Sequence, residues 1–284
     1  MVKVLFGVFL VVLNLFAVDI EQLKQEFYKD VVLQNINHTY LTKHDREEAI
    51  LYHKKVTFLY KKSFDKMVKI IKNKIKTDHI NHDEYFSFID LKQQTFIVML
   101  YLYDKNKIYH IGSDLISTGN MDMEQKVKYG EDHYFETPVG EYEIKKGWRS
   151  DGKFKDYNKT IQPYGSKGCF IYYVGKVVAK RYNTFDSNKT KILDKQKYKI
   201  YYDTLNFAIH SYNLNDKIYK RGFKSSHGCV RLSDYLNRFL DKHLVLHENF
   251  FRNGKWRLKL SAKPKNIINY NIKGKYLFIL PQLD

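Results

Sequence analysis

A chain of 284 residues, 44% hydrophobic and 28% charged, has material for one large domain or two modest ones with a real core. Only 4 prolines and 14 glycines exclude extensive disorder. The formal net charge of +18 favours polyanions: nucleic acid, anionic lipid or a polymer carrying carboxylates. There is no zinc-finger spacing and no nucleic-acid motif, so no nucleic-acid partner is expected.

Residues 1–17 carry Lys3 and then an apolar run from Val4 to Phe16, the shape of a secretory signal. The run is short for a transmembrane span, which needs roughly 20 residues. Cleavage is expected near Ala17, although Leu15 is larger than the preferred small residue; an uncleaved anchor is the alternative. No cysteine lies near that point, which excludes a lipoprotein. Export makes a Cys169–Cys229 disulfide conceivable. Cys229 is read instead as a free thiol and Cys169 as a small buried hydrophobe.

Residues 18–92 read as a helical N-terminal region. Asp19 caps a first helix with Gln22 at the capping-box position, and Ile20, Leu23, Phe27 and Val31 recur at helical spacing. A second helix is predicted to start at Asp45, with Glu48 three residues on, and to run towards Lys76. Its off-face positions include Lys54, Lys55, Lys61, Lys62, Lys66, Lys69, Lys72 and Lys74. A solvated face explains them; a basic surface resting on anionic wall or membrane is the sharper reading.

From residue 93 the period becomes that of strands. Thr95–Tyr103 and Lys107–Ile116 form a hairpin about Asp104-Lys105-Asn106. Glu141–Lys146, Phe170–Val174, Val177–Arg181, Tyr198–Asp203 and Phe207–His210 follow. Leu232-Ser233-Asp234 caps a helix to about Lys242. Many short strands with few helices between them predict a mainly β, mainly antiparallel sandwich or barrel over 93–247. Residues 248–284 hold strand candidates at Trp256–Leu260 and Tyr276–Leu280, which either extend the sheet or form an appendage.

The chemistry concentrates in Lys224-Ser225-Ser226-His227-Gly228-Cys229-Val230-Arg231-Leu232. A cysteine reacts as thiolate, so it needs a proton acceptor or a cation beside it. His210, at the end of an apolar strand, supplies one, with fifteen residues between it and Ser226; His227 is the other ring within reach. His243, His247 and Glu248, and His79, His82 and Asp83, are the candidate metal-binding clusters. Leu244-Val245-Leu246 reads as a strand that would hold its two histidines apart, so scattered surface histidines and no metal are expected.

His210, then Ser226-His227-Gly228-Cys229-Val230-Arg231, resembles the motif of the YkuD-type L,D-transpeptidases. Ser117-Thr118-Gly119 and Thr137-Pro138-Val139-Gly140-Glu141-Tyr142 agree in order, and the likeness covers about residues 95–247. Ser211 replaces the glycine that commonly follows the first histidine. The resemblance implies a β-sandwich and an exported, periplasmic or envelope enzyme that needs no cofactor and acts on peptidoglycan stem peptides. Cys229 would form a thioester, with His210 as base oriented by a backbone carbonyl at Ser211. A thiolate–imidazolium pair would lower the thiol's pKa. The N–H groups of Gly228 and Cys229 would hold the oxyanion, and His227 would shape the loop. Arg231 would meet a substrate carboxylate or brace the loop, and Tyr212 would line the groove. Transfer to a second stem or to a protein is the first reading and L,D-carboxypeptidase or hydrolase the second. A non-catalytic wall- or polyanion-binding protein is the alternative from another class.

Overall fold

The computed structural model describes residues 18–37, 42–122, 134–155, 159, 161–183, 187–188, 190, 192, 194–214, 222–269 and 271–283. The expected signal segment lies outside them. Helix α1, Ile20–Phe27, starts at Asp19, whose carboxylate accepts the N–H groups of Glu21 and Gln22. A π-helical turn, Tyr28–Val32, leads into α2, Leu33–Ile36. The apolar stripe Ile20, Leu23, Phe27 and Val31 is buried in the main core. Phe27 meets Phe239 edge-on with ring centroids 4.8 Å apart. Each such side chain contributes about 1.5–3 kcal/mol of burial.

Helix α3 is Lys43–Thr77, capped by Thr42 with Asp45 reciprocating from the third position. The expected start at Asp45 is three residues late, because Asp45 is the box partner and not the cap. Met67 and Ile71 are buried against Phe86, Phe88, Ile97, Met99, Tyr276 and Phe278, one face of the larger sheet. Lys74 on the same helix is paired with Asp78 and Glu141 rather than freely solvated.

Two mixed sheets form the body. The first runs β3–β2–β1–β13–β4, with β1 Glu84–Asp90, β2 Thr95–Leu102, β3 Lys107–Leu115, β4 Gly140–Glu143 and β13 Lys273–Leu280. The second runs β10–β8–β7–β5, with β5 Lys146–Arg149, β7 Phe170–Asn183, β8 Lys199–Ser211 and β10 Val230–Leu232. Two-residue ladders join β6 Ile161–Gln162 to β9 Asn213–Leu214 and β11 Phe251–Arg252 to β12 Lys255–Trp256. Both main sheets contribute to one core, on which helix α4, Asp234–Lys242, also packs.

Several expectations change here. Pairing is mainly antiparallel, with two parallel exceptions, β1 with β13 and β8 with β10. β1 falls before residue 93, and of the two readings left open for the C-terminal strands, β13 takes the first by joining the sheet between β1 and β4. β1 was hard to see because it is buried on both faces, which erases strand alternation. The four short strands expected between 170 and 210 are two long ones of 14 and 13 residues. A bulge between Tyr173 and Gly175 absorbs the register change. The Trp256–Leu260 strand reduces to Lys255–Trp256, followed by a 3-10 turn at Leu260–Ala262.

Candidate active site

The parallel pairing of β8 with β10 sets His210 beside Arg231 and Ile209 beside Val230. Side chains alternate along strands, so Ile209, Val230 and Leu232 enter the core while Ala208, His210 and Arg231 share the opposite face. Cys229, just before β10, is a half-buried free thiol. Its S–H donates to the Asn206 carbonyl at 3.6 Å.

The loop that presents the thiol is tied from three directions. Within it, the Ser226 hydroxyl donates to the Cys229 carbonyl at 2.5 Å and accepts the Gly228 N–H at 3.1 Å. From Ser117-Thr118-Gly119, the Thr118 carbonyl accepts the N–H groups of Ser225 and Ser226, and Ser117 exchanges both backbone bonds with Arg231. Thr137 donates from Oγ1 to the Gly228 carbonyl at 2.6 Å and accepts the Gly119 N–H at 2.8 Å. The two upstream signatures are therefore the cradle of the cysteine loop. Side chains larger than hydrogen do not fit at its seams. A Cβ on Gly119 would lie 2.0 Å from the Phe135 carbonyl oxygen, and Gly228 has φ +123° with Leu205 and Phe135 closing over it.

His210 is buried, and its Nδ1 lies 2.8 Å from the Ser211 carbonyl. A carbonyl only accepts, so Nδ1 carries the proton and Nε2 keeps its lone pair. Burial lowers the ring's pKa to about 4; the Ser211 bond opposes this and Arg231 adds to it. Burial likewise raises the Cys229 thiol, against a backbone bond from Ala208 and the charge of Arg231. Desolvation therefore works against both charges of the expected thiolate–imidazolium pair.

His227 stacks on Tyr134 with centroids 4.1 Å apart, and its Nδ1 accepts from Arg231 Nη2 at 3.3 Å. Arg231 also donates to the Ser225 carbonyl at 2.8 Å and lies 3.9 Å over the Tyr212 ring. The guanidinium therefore braces the loop and holds Tyr212 against it. The expected oxyanion pair loses a member, because the Gly228 N–H is committed to Ser226; the Cys229 N–H remains as candidate donor.

Three neighbours were assigned no site role by sequence reasoning. Tyr164 meets the His210 ring edge-on at 5.1 Å. Asp234 accepts from the hydroxyls of Ser211 and Ser166, fixing the residue whose carbonyl holds His210. The Asn206 backbone carbonyl accepts the Cys229 S–H hydrogen bond. Only Asp234 had a visible signal, which reads equally well as a helix start beside its N-cap, Ser233. Of the four expected surface histidines, His79 and His82 are exposed and the other two are corrected. His243 and His247 are buried, His243 bonded to Glu26 and His247 3.1 Å from Asp241. Leu244–Leu246 is a turn after α4, not a strand.

No curated protein matches the chain. The family model of the L,D-transpeptidase catalytic domain, YkuD, matches residues 84–244 and so takes in β1, the cradle, His210 and the cysteine loop. The chain belongs to the YkuD family of L,D-transpeptidase catalytic domains, whose activity is directed at peptidoglycan.

Proposed function

We propose that the protein is an exported cysteine L,D-transpeptidase acting on peptidoglycan stem peptides through a thioester at Cys229. One observation carries this reading. A free, partly accessible thiol heads the strand that pairs with the one carrying an imidazole whose Nδ1–H is engaged by Ser211. His210 Nε2 accepts the thiol proton as sulfur attacks the carbonyl of the third, diamino-acid residue. The tetrahedral oxyanion is met by the Cys229 N–H. Collapse breaks the amide, and the proton passes from His210 to the departing D-amino acid, leaving the thioester. An amine on a second stem or on a protein then takes the acyl group, with His210 again removing and returning the proton. Water in the amine's place makes the same site an L,D-carboxypeptidase. The positive charge of the chain suits a carboxylate-bearing wall polymer.

The test is incubation of purified protein with disaccharide tetrapeptides and mass analysis of the products. Cross-linked dimers establish transfer. Tripeptide alone makes the protein a hydrolase, and unchanged substrate removes the enzymatic reading.

A further inference from the structure

Resting on the reading above, we propose that Trp148 and Tyr173 form a stacking subsite beside Cys229 for the sugar chain of the wall polymer. Registers place it there. Across the second sheet Lys146 faces Tyr173, Tyr173 faces Ala208, and Val230, next to Cys229, faces Ile209. Tyr173 thus lies two strands from the thiol, about 10 Å away, on the face that carries His210. A contact chain joins them. Tyr173 donates from its hydroxyl to Asn206 Oδ1 at 3.1 Å, and the Asn206 carbonyl accepts the Cys229 S–H.

Trp148 tilts over Tyr173 with centroids 5.9 Å apart, yet stays 45% exposed. It stands outside the core, which fills the other face of the sheet. An exposed indole beside a tyrosine offers flat apolar surface with polar edges, which matches the C–H face and hydroxyl rim of a sugar ring. Lys146 and Lys176 lie on the same face by register and are exposed, complementing carboxylates along the polymer. A bare stem peptide, with its backbone amides, calls instead for a strand edge or hydrogen-bonding groups.

Calorimetric titration of the full-length Cys229→Ala protein with peptide-free wall glycan oligomers tests this without turnover. It is therefore independent of the tetrapeptide assay that tests the chemistry. Saturable binding is expected, weakened at least tenfold by an added Trp148→Ala and partly restored by Trp148→Phe. No binding of the oligomers, equal binding after Trp148→Ala, or binding of free tetrapeptide alone that depends on Trp148 would overturn the proposal.

Discussion

The chain contains two Ser-X-Gly-Cys loops, Ser166-Lys167-Gly168-Cys169 and Ser226-His227-Gly228-Cys229, and the structure builds them alike. Each turns through a glycine at positive φ, +91° and +123°, and each feeds a strand of the same sheet, β7 and β10. Their thiols differ completely. Cys169 is 2% exposed, and burial pushes its thiol up to about 12, helped by the nearby Asp234 carboxylate. Cys229 is half-buried, heads the strand paired with the one that carries His210, and lies in the field of Arg231. The serines diverge too: Ser166 bonds Asp234, whereas Ser226 turns inward and ties its own loop. Backbone shape is common to both loops, so the candidate chemistry comes from what the neighbouring strand presents.

The sharpest break between the loops is expected from their sulfurs. Cys229→Ala should abolish stem-peptide turnover, by at least about 10³-fold, while Cys169→Ala keeps it; product analysis with each variant decides. Next comes His210→Ala, expected to lower kcat/KM by about 10²–10⁴. With the wild-type ring held to about 4, the acid limb of kcat/KM should lie near pH 4 rather than near the unperturbed 6.5. The same shift makes the unfolded chain bind the extra proton between those values. Stability should therefore fall as pH drops from 6.5 towards 4, seen as a declining Tm.

Ser226→Ala removes two hydrogen bonds from the reactive loop and should cost about 1–3 kcal/mol, readable by thermal melting, with a smaller loss from Ser166→Ala at its exposed-side counterpart. The smallest effect is expected from Lys167→His. It completes the motif around Cys169 but brings no strand imidazole to the sulfur, so alkylation of Cys169 should stay unchanged.

How much of this the sequence displayed follows from where the information resides. The cysteine loop, His210 and the Ser211 carbonyl were legible because they are adjacent along the chain or fixed by one motif. The cradle was visible as two signatures without a role, since the bonds of Thr118 and Thr137 to the loop span about a hundred residues and appear only on folding. The desolvation that opposes a charged pair was not legible because it is a property of the packed site, not of residue type. The last strand was ambiguous for a similar reason: Tyr276–Leu280 is apolar on both faces once α3 covers one of them. Docking of α1 was equally unreadable. It depends on Glu26 pairing with Lys242 and His243, a contact that His243 and Lys242 use to hold the carboxyl down to about 2.

Acylation of the intact protein by a carbapenem, mapped by mass spectrometry near neutral pH, tests most directly whether the imidazole-served sulfur is the nucleophile. One adduct, on the peptide containing Cys229 and lost in His210→Ala, is the expected result. No adduct, an adduct on Cys169, or equal acylation without His210 would contradict it.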